Sequence, residues 1–229
     1  MKILAIETAT EACSAALLID NEITEKLSLI PRQHSQLILQ MMDQLLAEAE
    51  IKLTDLDGFA FGCGPGSFTG VRIACGVAQG TCYGADLPSI AISSLRGLAQ
   101  GIYRQYQVEK VASAFDARMG EVYWGTYYLD QNKIMVLKDK EQVIQPKHIE
   151  LSQATSWVGA GSGWNTLDLQ QMALKHKIKT HINEVCYAQD IAFLAKHAIL
   201  AGEGSHSKEI KPVYLRQNIA KKAQNPLVF

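Results

Sequence analysis

The chain has 229 residues, 48% hydrophobic and 20% charged, and its 22 basic and 23 acidic residues leave a formal net charge of −1. That balance suits a globular chain with a real core, and without a clustered basic excess it excludes a broad nucleic-acid or membrane surface. The five cysteines (Cys13, Cys63, Cys75, Cys82 and Cys186) form no C-x-x-C pair, so they read as small hydrophobes in a reducing compartment and not as metal ligands.

The N-terminal MKILAIETAT has no long apolar run followed by a cleavage pattern, and no stretch reaches membrane-spanning length. A cytoplasmic protein is expected. Residues 2–8, 13–19 and 22–29 are apolar runs with short connections, one of them Asp20-Asn21, which predicts an antiparallel meander ended by Pro31. From Ser35, a candidate N-cap, to Glu50 the pattern is an amphipathic helix. Ile38, Met41, Met42, Leu45, Leu46 and Ala49 form its apolar stripe, and Leu37 and Leu39 widen it beyond one packing face.

A strand is expected at 58–62, a helix from about 69 to 83, a strand at 89–93 and a helix from about 95 to 106. The strand pattern restarts near Lys110, with strands at 111–115, 121–129 and 134–137 and another from Trp157 into a glycine-rich loop. Tyr123, Trp124, Tyr127 and Tyr128 read as lobe core. Helices follow at about 164–175 and 188–201. The chain therefore divides into a lobe at 1–108 and a shorter lobe at 109–229, each a mixed sheet flanked by helices.

Residues 62–72 read Gly-Cys-Gly-Pro-Gly-Ser-Phe-Thr-Gly-Val-Arg. Glycines around Pro65 between a strand and a helix make a tight turn, or a phosphate cradle at a helix N-terminus. The string is neither the Walker loop nor the dinucleotide fingerprint, so spacing favours the turn. In the helix that follows, Arg72 is the single charge. Gly70, Ala74, Ala78 and Cys82 form one row of small residues, and Gly76 and Gly80 form a second. Each interior glycine costs about 1 kcal/mol against alanine, and close packing of another helix would offset that. One row is expected to bury inside the monomer. Two rows together with the wide stripe on the first helix favour a further contact with a second chain. The expected interface residues are Ile38, Met41, Met42, Leu45, Gly70, Ile73, Ala74, Val77, Ala78 and Thr81.

The strings Ile6-Glu7-Thr8-Ala9-Thr10, Arg32-Gln33-His34-Ser35, Gly64 to Arg72, Asp116 to Tyr123 and Tyr214-Leu215-Arg216 together resemble the TsaB (YeaZ) family over nearly the whole chain. The resemblance implies an actin-like, Hsp70-like nucleotide-binding fold of two related lobes. It also implies a non-catalytic dimerisation subunit of the machinery that adds threonylcarbamoyl to adenosine 37 of tRNA. The implied partners are a TsaD-type catalytic subunit, a TsaE-type ATPase, a second copy when alone, and tRNA reached indirectly through the complex. In the catalytic sister family a His-Leu-Glu-Gly-His segment holds a metal. The matching stretch here is Ser94-Leu95-Arg96-Gly97-Leu98, and leucine has no lone pair to donate. No metal site is expected. His34 has no ligand partner one helical turn on, and His148, His176, His181, His197 and His206 are scattered.

Glu7 and Asp116 fall where actin-like ATPases carry carboxylates, and Gly161 and Gly163 sit in a candidate adenosine loop. This set is read as a vestigial nucleotide site, with no cofactor required and ATP or ADP bound weakly or through an interface. Asp116 and Arg118 can equally belong to a turn held by local bonds and an ion pair with Glu121. The rival reading is an actin-like kinase or ATPase acting alone, which would need Glu7 and Asp116 to hold hydrated Mg2+. A local basic end at Lys208, Lys211, Arg216, Lys221 and Lys222 reads as solvated.

Overall fold

The computed structural model describes residues 1–30, 33–151, 156–205 and 209–216. Pro31, Arg32, His206, Lys208, Lys221 and Lys222 lie outside them. The first half comprises β1 (Lys2–Glu7), β2 (Cys13–Ile19), β3 (Glu22–Ser28), α1 (His34–Glu48), β4 (Gly58–Gly62), α2 (Phe68–Ala85), β5 (Ser89–Ile92) and α3 (Ser94–Tyr106). The second comprises β6 (Lys110–Asp116), β7 (Val122–Leu129), β8 (Met135–Leu137), β9 (Gln142–Ile144), β10 (Val158–Ala160), α4 (Leu167–His176), β11 (Lys179–His181) and α5 (Ala188–Leu200).

The first sheet runs β3-β2-β1-β4-β5, antiparallel across β3, β2 and β1 and parallel from β1 to β5. The second runs β8-β7-β6-β10-β11 with the same senses, and β9 also pairs with β7. Each half thus repeats one unit, three antiparallel strands followed by two parallel ones. This is the doubled α/β architecture of the actin-like fold.

Side-chain alternation along β1 builds two cores. Leu4 and Ile6, with Leu17, Phe59 and Phe61, face α1 and α2. Ile3 and Ala5, with Leu18 and Ala60, face α5, on which α3 packs. Helix α3 also packs on β6, β7 and β8, so α3 and α5 form a layer shared by both sheets. Helix α5 is remote in sequence from the first sheet yet packs on β1, β2 and β4. The far side of the second sheet is closed by Trp164, Leu169 and Ile178 over Ala112, Ala114 and Trp124.

The helix starts differ from expectation. Gln33, not Ser35, caps α1, and it does so without a side-chain bond. His34 Nε2 donates to the Thr10 carbonyl at 3.1 Å instead, fixing the helix to the β1–β2 turn. Ser67 caps α2 by accepting from the Gly70 amide, which is the usual N-cap geometry. The strand from Trp157, expected to reach Gly163, ends at Ala160, and the glycine-rich loop curls into a short 3-10 turn, Ser162–Asn165. No helix among the described residues is long and apolar enough to cross a membrane.

Candidate partner-binding face and interlobe cleft

Helix α2 carries its two small rows on opposite sides. Gly70, Ala74, Ala78 and Cys82 are buried against the first sheet. This row lets helix and sheet approach closely, because a Cβ on Gly70 would fall 2.0 Å from the Thr8 carbonyl oxygen. Gly76, Gly80 and Gly84 point outward, and a Cβ on any of them would meet nothing within 4 Å. Among the described residues, nothing packs on this second row to offset its helix cost.

Seven of the ten expected interface residues therefore belong to the monomer's own core. Ile38, Met41, Met42, Leu45, Gly70, Ala74 and Ala78 are buried, since the sheet covers the side of each helix that bears them. Ile73, Val77 and Thr81 are half-buried and border the open glycine row. Leu39 on α1 and Tyr83 near the end of α2 add exposed apolar surface. Sequence spacing found both small rows but not which one the sheet would take.

Between the lobes lies a cleft of ≈ 1100 Å³. Its walls are the β1–β2 turn (Thr10, Glu11), the start of α2 (Ser67, Phe68), the β6–β7 turn (Asp116, Arg118), the 162–166 segment, and residues 213–216. The β6–β7 turn places Arg118, Met119 and Gly120 in succession in the left-handed region, with φ of 63°, 58° and 75°. Such a conformation is costly for the two non-glycine residues. Asp116 holds it by accepting from the Arg118 amide at 2.7 Å and from its guanidinium at 3.1 Å. Glu121 pairs with Arg216, not with Arg118 as one sequence reading had it.

Of the residues proposed for a vestigial nucleotide site, Asp116 meets the Gly161–Gly163 loop, its amide donating to Ser162 Oγ at 3.3 Å, but Glu7 stays apart. Asp116 reaches the cleft with its carboxylate already engaged by Arg118. Glu7 is fully buried away from it, and its carboxylate accepts from the Ser94 hydroxyl at 2.7 Å and from the Ala9 amide. Gly62 lies so close that a Cβ there would come within 2.0 Å of a Glu7 oxygen. Gly161 and Gly163 press on Ala114 of β6, so their missing side chains serve packing inside the lobe. This set does not fit a metal–phosphate centre. Among the described residues, no three His, Cys, Asp or Glu side chains cluster as metal ligands. Alternation along β1 already places Glu7 on the side of Ile3 and Ala5, under α3. The cleft residues Ser67, Phe68, Tyr214 and Arg216 lay inside strings noticed in the sequence, but spacing gave them no role.

Burial raises the pKa of Glu7 above the ordinary value of 4.5, and the hydrogen bonds from Ser94 and Ala9 offset only part of the shift. From that ordinary value up to the raised one, the unfolded chain has lost its proton while the folded chain keeps it. Stability therefore falls as pH rises through this window. Urea melts of the wild type and Glu7→Gln should show the wild type losing up to ~1.4 kcal/mol per pH unit relative to the variant there. Asp190 and Glu25, also shifted upward by burial, cancel in the difference. A pH-independent difference would mean that Glu7 titrates normally.

At Ser94 and Leu98, the positions that the resemblance matches to two metal-binding histidines, the described structure offers no free donor pair. The Ser94 hydroxyl is committed to Glu7 and its amide to the Gly64 carbonyl, at 2.9 Å. Leu98 lies in the shared core beside Val111 and Phe115.

Comparison with known proteins fits this geometry. A family model described as "TsaD: tRNA N6-adenosine threonylcarbamoyltransferase" matches residues 28–225. The tRNA threonylcarbamoyladenosine biosynthesis protein TsaB of Escherichia coli is 41% identical, over 96% of this chain and 96% of its own. Its Haemophilus influenzae counterpart is 38% identical over 96% and 95%. The structure of YeaZ from Pseudomonas aeruginosa superposes with a TM-score of 0.85 at 40% identity, covering 93% of this chain and 99% of that one. The chain belongs to the TsaB (YeaZ) family, inside the wider group that the TsaD model covers.

Proposed function

We propose that this chain is a non-catalytic, partner-binding subunit of the complex that builds threonylcarbamoyladenosine at position 37 of tRNA. A TsaD-type catalytic subunit docks on the outer side of α2 and the adjoining part of α1. A TsaE-type ATPase completes the complex, tRNA is reached through it, and the setting is the cytoplasm. Alone, the chain uses the same face to bind a second copy.

The observation that carries this reading is the open row Gly76, Gly80 and Gly84, which meets nothing among the described residues and admits another backbone closely. Full-length similarity to proteins named for threonylcarbamoyladenosine biosynthesis supports the pathway. The buried Ser94 and Leu98 support catalysis by the partner. No cofactor of its own is required, and ATP or ADP binds weakly or only with the partner. The seclusion of Glu7 and the Asp116–Arg118 pairing support that over an independent kinase or ATPase.

The test is threonylcarbamoyladenosine formation on tRNA by a TsaD-type transferase, with and without this chain. Addition of the chain is expected to raise modification about tenfold or more. With every other component present, the chain in place of the transferase should give none. MgATP turnover by the isolated chain, lost in Asp116→Ala, would instead establish the ATP-dependent enzyme.

A further inference from the structure

The segment 209–216 touches several separate parts of the molecule. Ile210 is buried in the core beneath α1 and α2, and its carbonyl accepts from Gln79 Nε2 of α2 at 3.0 Å. The Val213 amide donates to the Cys63 carbonyl at 2.9 Å, beside the Gly64-Pro65 turn. The Tyr214 ring stands 6.2 Å from that of Phe68. The Arg72 guanidinium lies 3.2 Å over the Phe68 ring and 5.2 Å from that of Tyr214.

These anchors all lie on the first lobe. Arg216 then crosses to the second. It pairs with Glu121, reaches the Arg118 carbonyl at 3.4 Å and lies 3.2 Å from Met119 Sδ. On the closed side of the cleft the lobes share a continuous apolar core through α3 and α5. On the open side, Val213, Tyr214 and Arg216 line the gap. The left-handed β6–β7 turn is thus gripped from within by Asp116 and, from a segment anchored on the first lobe, by Arg216.

We propose that residues 209–216 form a strap tying the β6–β7 turn to α2 across the mouth of the cleft, with the Arg216–Glu121 pair setting the separation of the lobes there. The strap also has a sensing end. Arg72 sits one helical turn before Gly76, so both lie on one side of α2. A helix seated on the glycine row meets the Arg72 stack, and through Tyr214 and Arg216 it shifts the cleft. This last step rests on the partner-binding reading, whereas the strap itself does not.

The experiment places spin labels at Glu11→Cys and Asn165→Cys, exposed positions on opposite walls of the cleft. The five native cysteines are buried. In full-length protein, Arg216→Ala or Glu121→Gln should lengthen and broaden the label distance. It should also speed hydrogen exchange at the Ala117, Arg118 and Glu121 amides about tenfold. The reversed pair, Arg216→Glu with Glu121→Arg, should restore both readouts. Unchanged distance and exchange in both single variants, or a reversed pair no better than the singles, would overturn the strap. Adding a TsaD-type partner should shift the distance in the wild type and not in Arg216→Ala. An equal shift in both would overturn the coupling, whereas failure of the docking reading would appear as no complex at all.

Discussion

Gly76→Arg is expected to abolish binding of a TsaD-type subunit while leaving the monomer as stable as the wild type or more so. A Cβ at this position meets no atom of the described residues within 4 Å. Replacing an interior helix glycine relieves about 0.5–1 kcal/mol. In the complex the same side chain stands where two backbones must approach, and a desolvated guanidinium there should weaken affinity more than about 100-fold. Self-association should weaken in parallel. Titration calorimetry and sedimentation velocity measure both effects, and a thermal melt confirms the fold. Ala74→Arg is the instructive contrast. Ala74 has no exposed surface, so arginine there is expected to unfold the protein and to report nothing about docking. Wild-type affinity in both Gly76→Arg and Gly80→Arg would place the interface elsewhere.

Gly70→Ala should act in the opposite way, destabilising the monomer at the inner row. Its Cβ would lie 2.0 Å from the Thr8 carbonyl oxygen and 3.0 Å from its carbon. The start of α2 cannot back away. The Ser67 amide donates to the Ala9 carbonyl at 2.7 Å, and the Thr8 hydroxyl donates to the Gly70 carbonyl at 2.7 Å. Overpacking against backbone should cost about 3 kcal/mol, which for a chain of this size lowers the melting temperature by roughly 6–12 °C. Gly76→Ala is the control and should melt at or above the wild-type temperature. Gly70→Ala melting with the wild type would mean that helix and sheet stand further apart than they do here.

Much of the architecture was legible in the sequence, because long apolar periods decide element type. The three-strand opening, both glycine-bearing helices and the restart near Lys110 all follow from such patterns. β9 and β11 were not legible, because Gln142–Ile144 and the polar Lys179–His181 lack the apolar run that marked the equally short β8 and β10. The inner and outer rows of α2 are both small and uncharged, so only the sheet's position separates them. Glu7 was legible and misread. It closes the first strand, where the resemblance suggested a cleft residue, yet its parity with Ile3 and Ala5 assigned it to the interior. The pairing of Arg216 with Glu121 had no local signal, since 95 residues separate the two.

The repeated strand order has an outcome for assembly. Among the described residues, the second unit carries no long helix between β8 and β10, and α4, the counterpart of α2, has 10 residues and no glycine. The proposed docking surface therefore exists on one repeat alone. A protein that offered it on both could join head to tail and grow as a filament, the open-ended route available to heterologous contacts. With a single copy of the surface, pairing is necessarily two-fold and closes after one partner. Under the proposed docking, every catalytic subunit captured through this face would displace a twin.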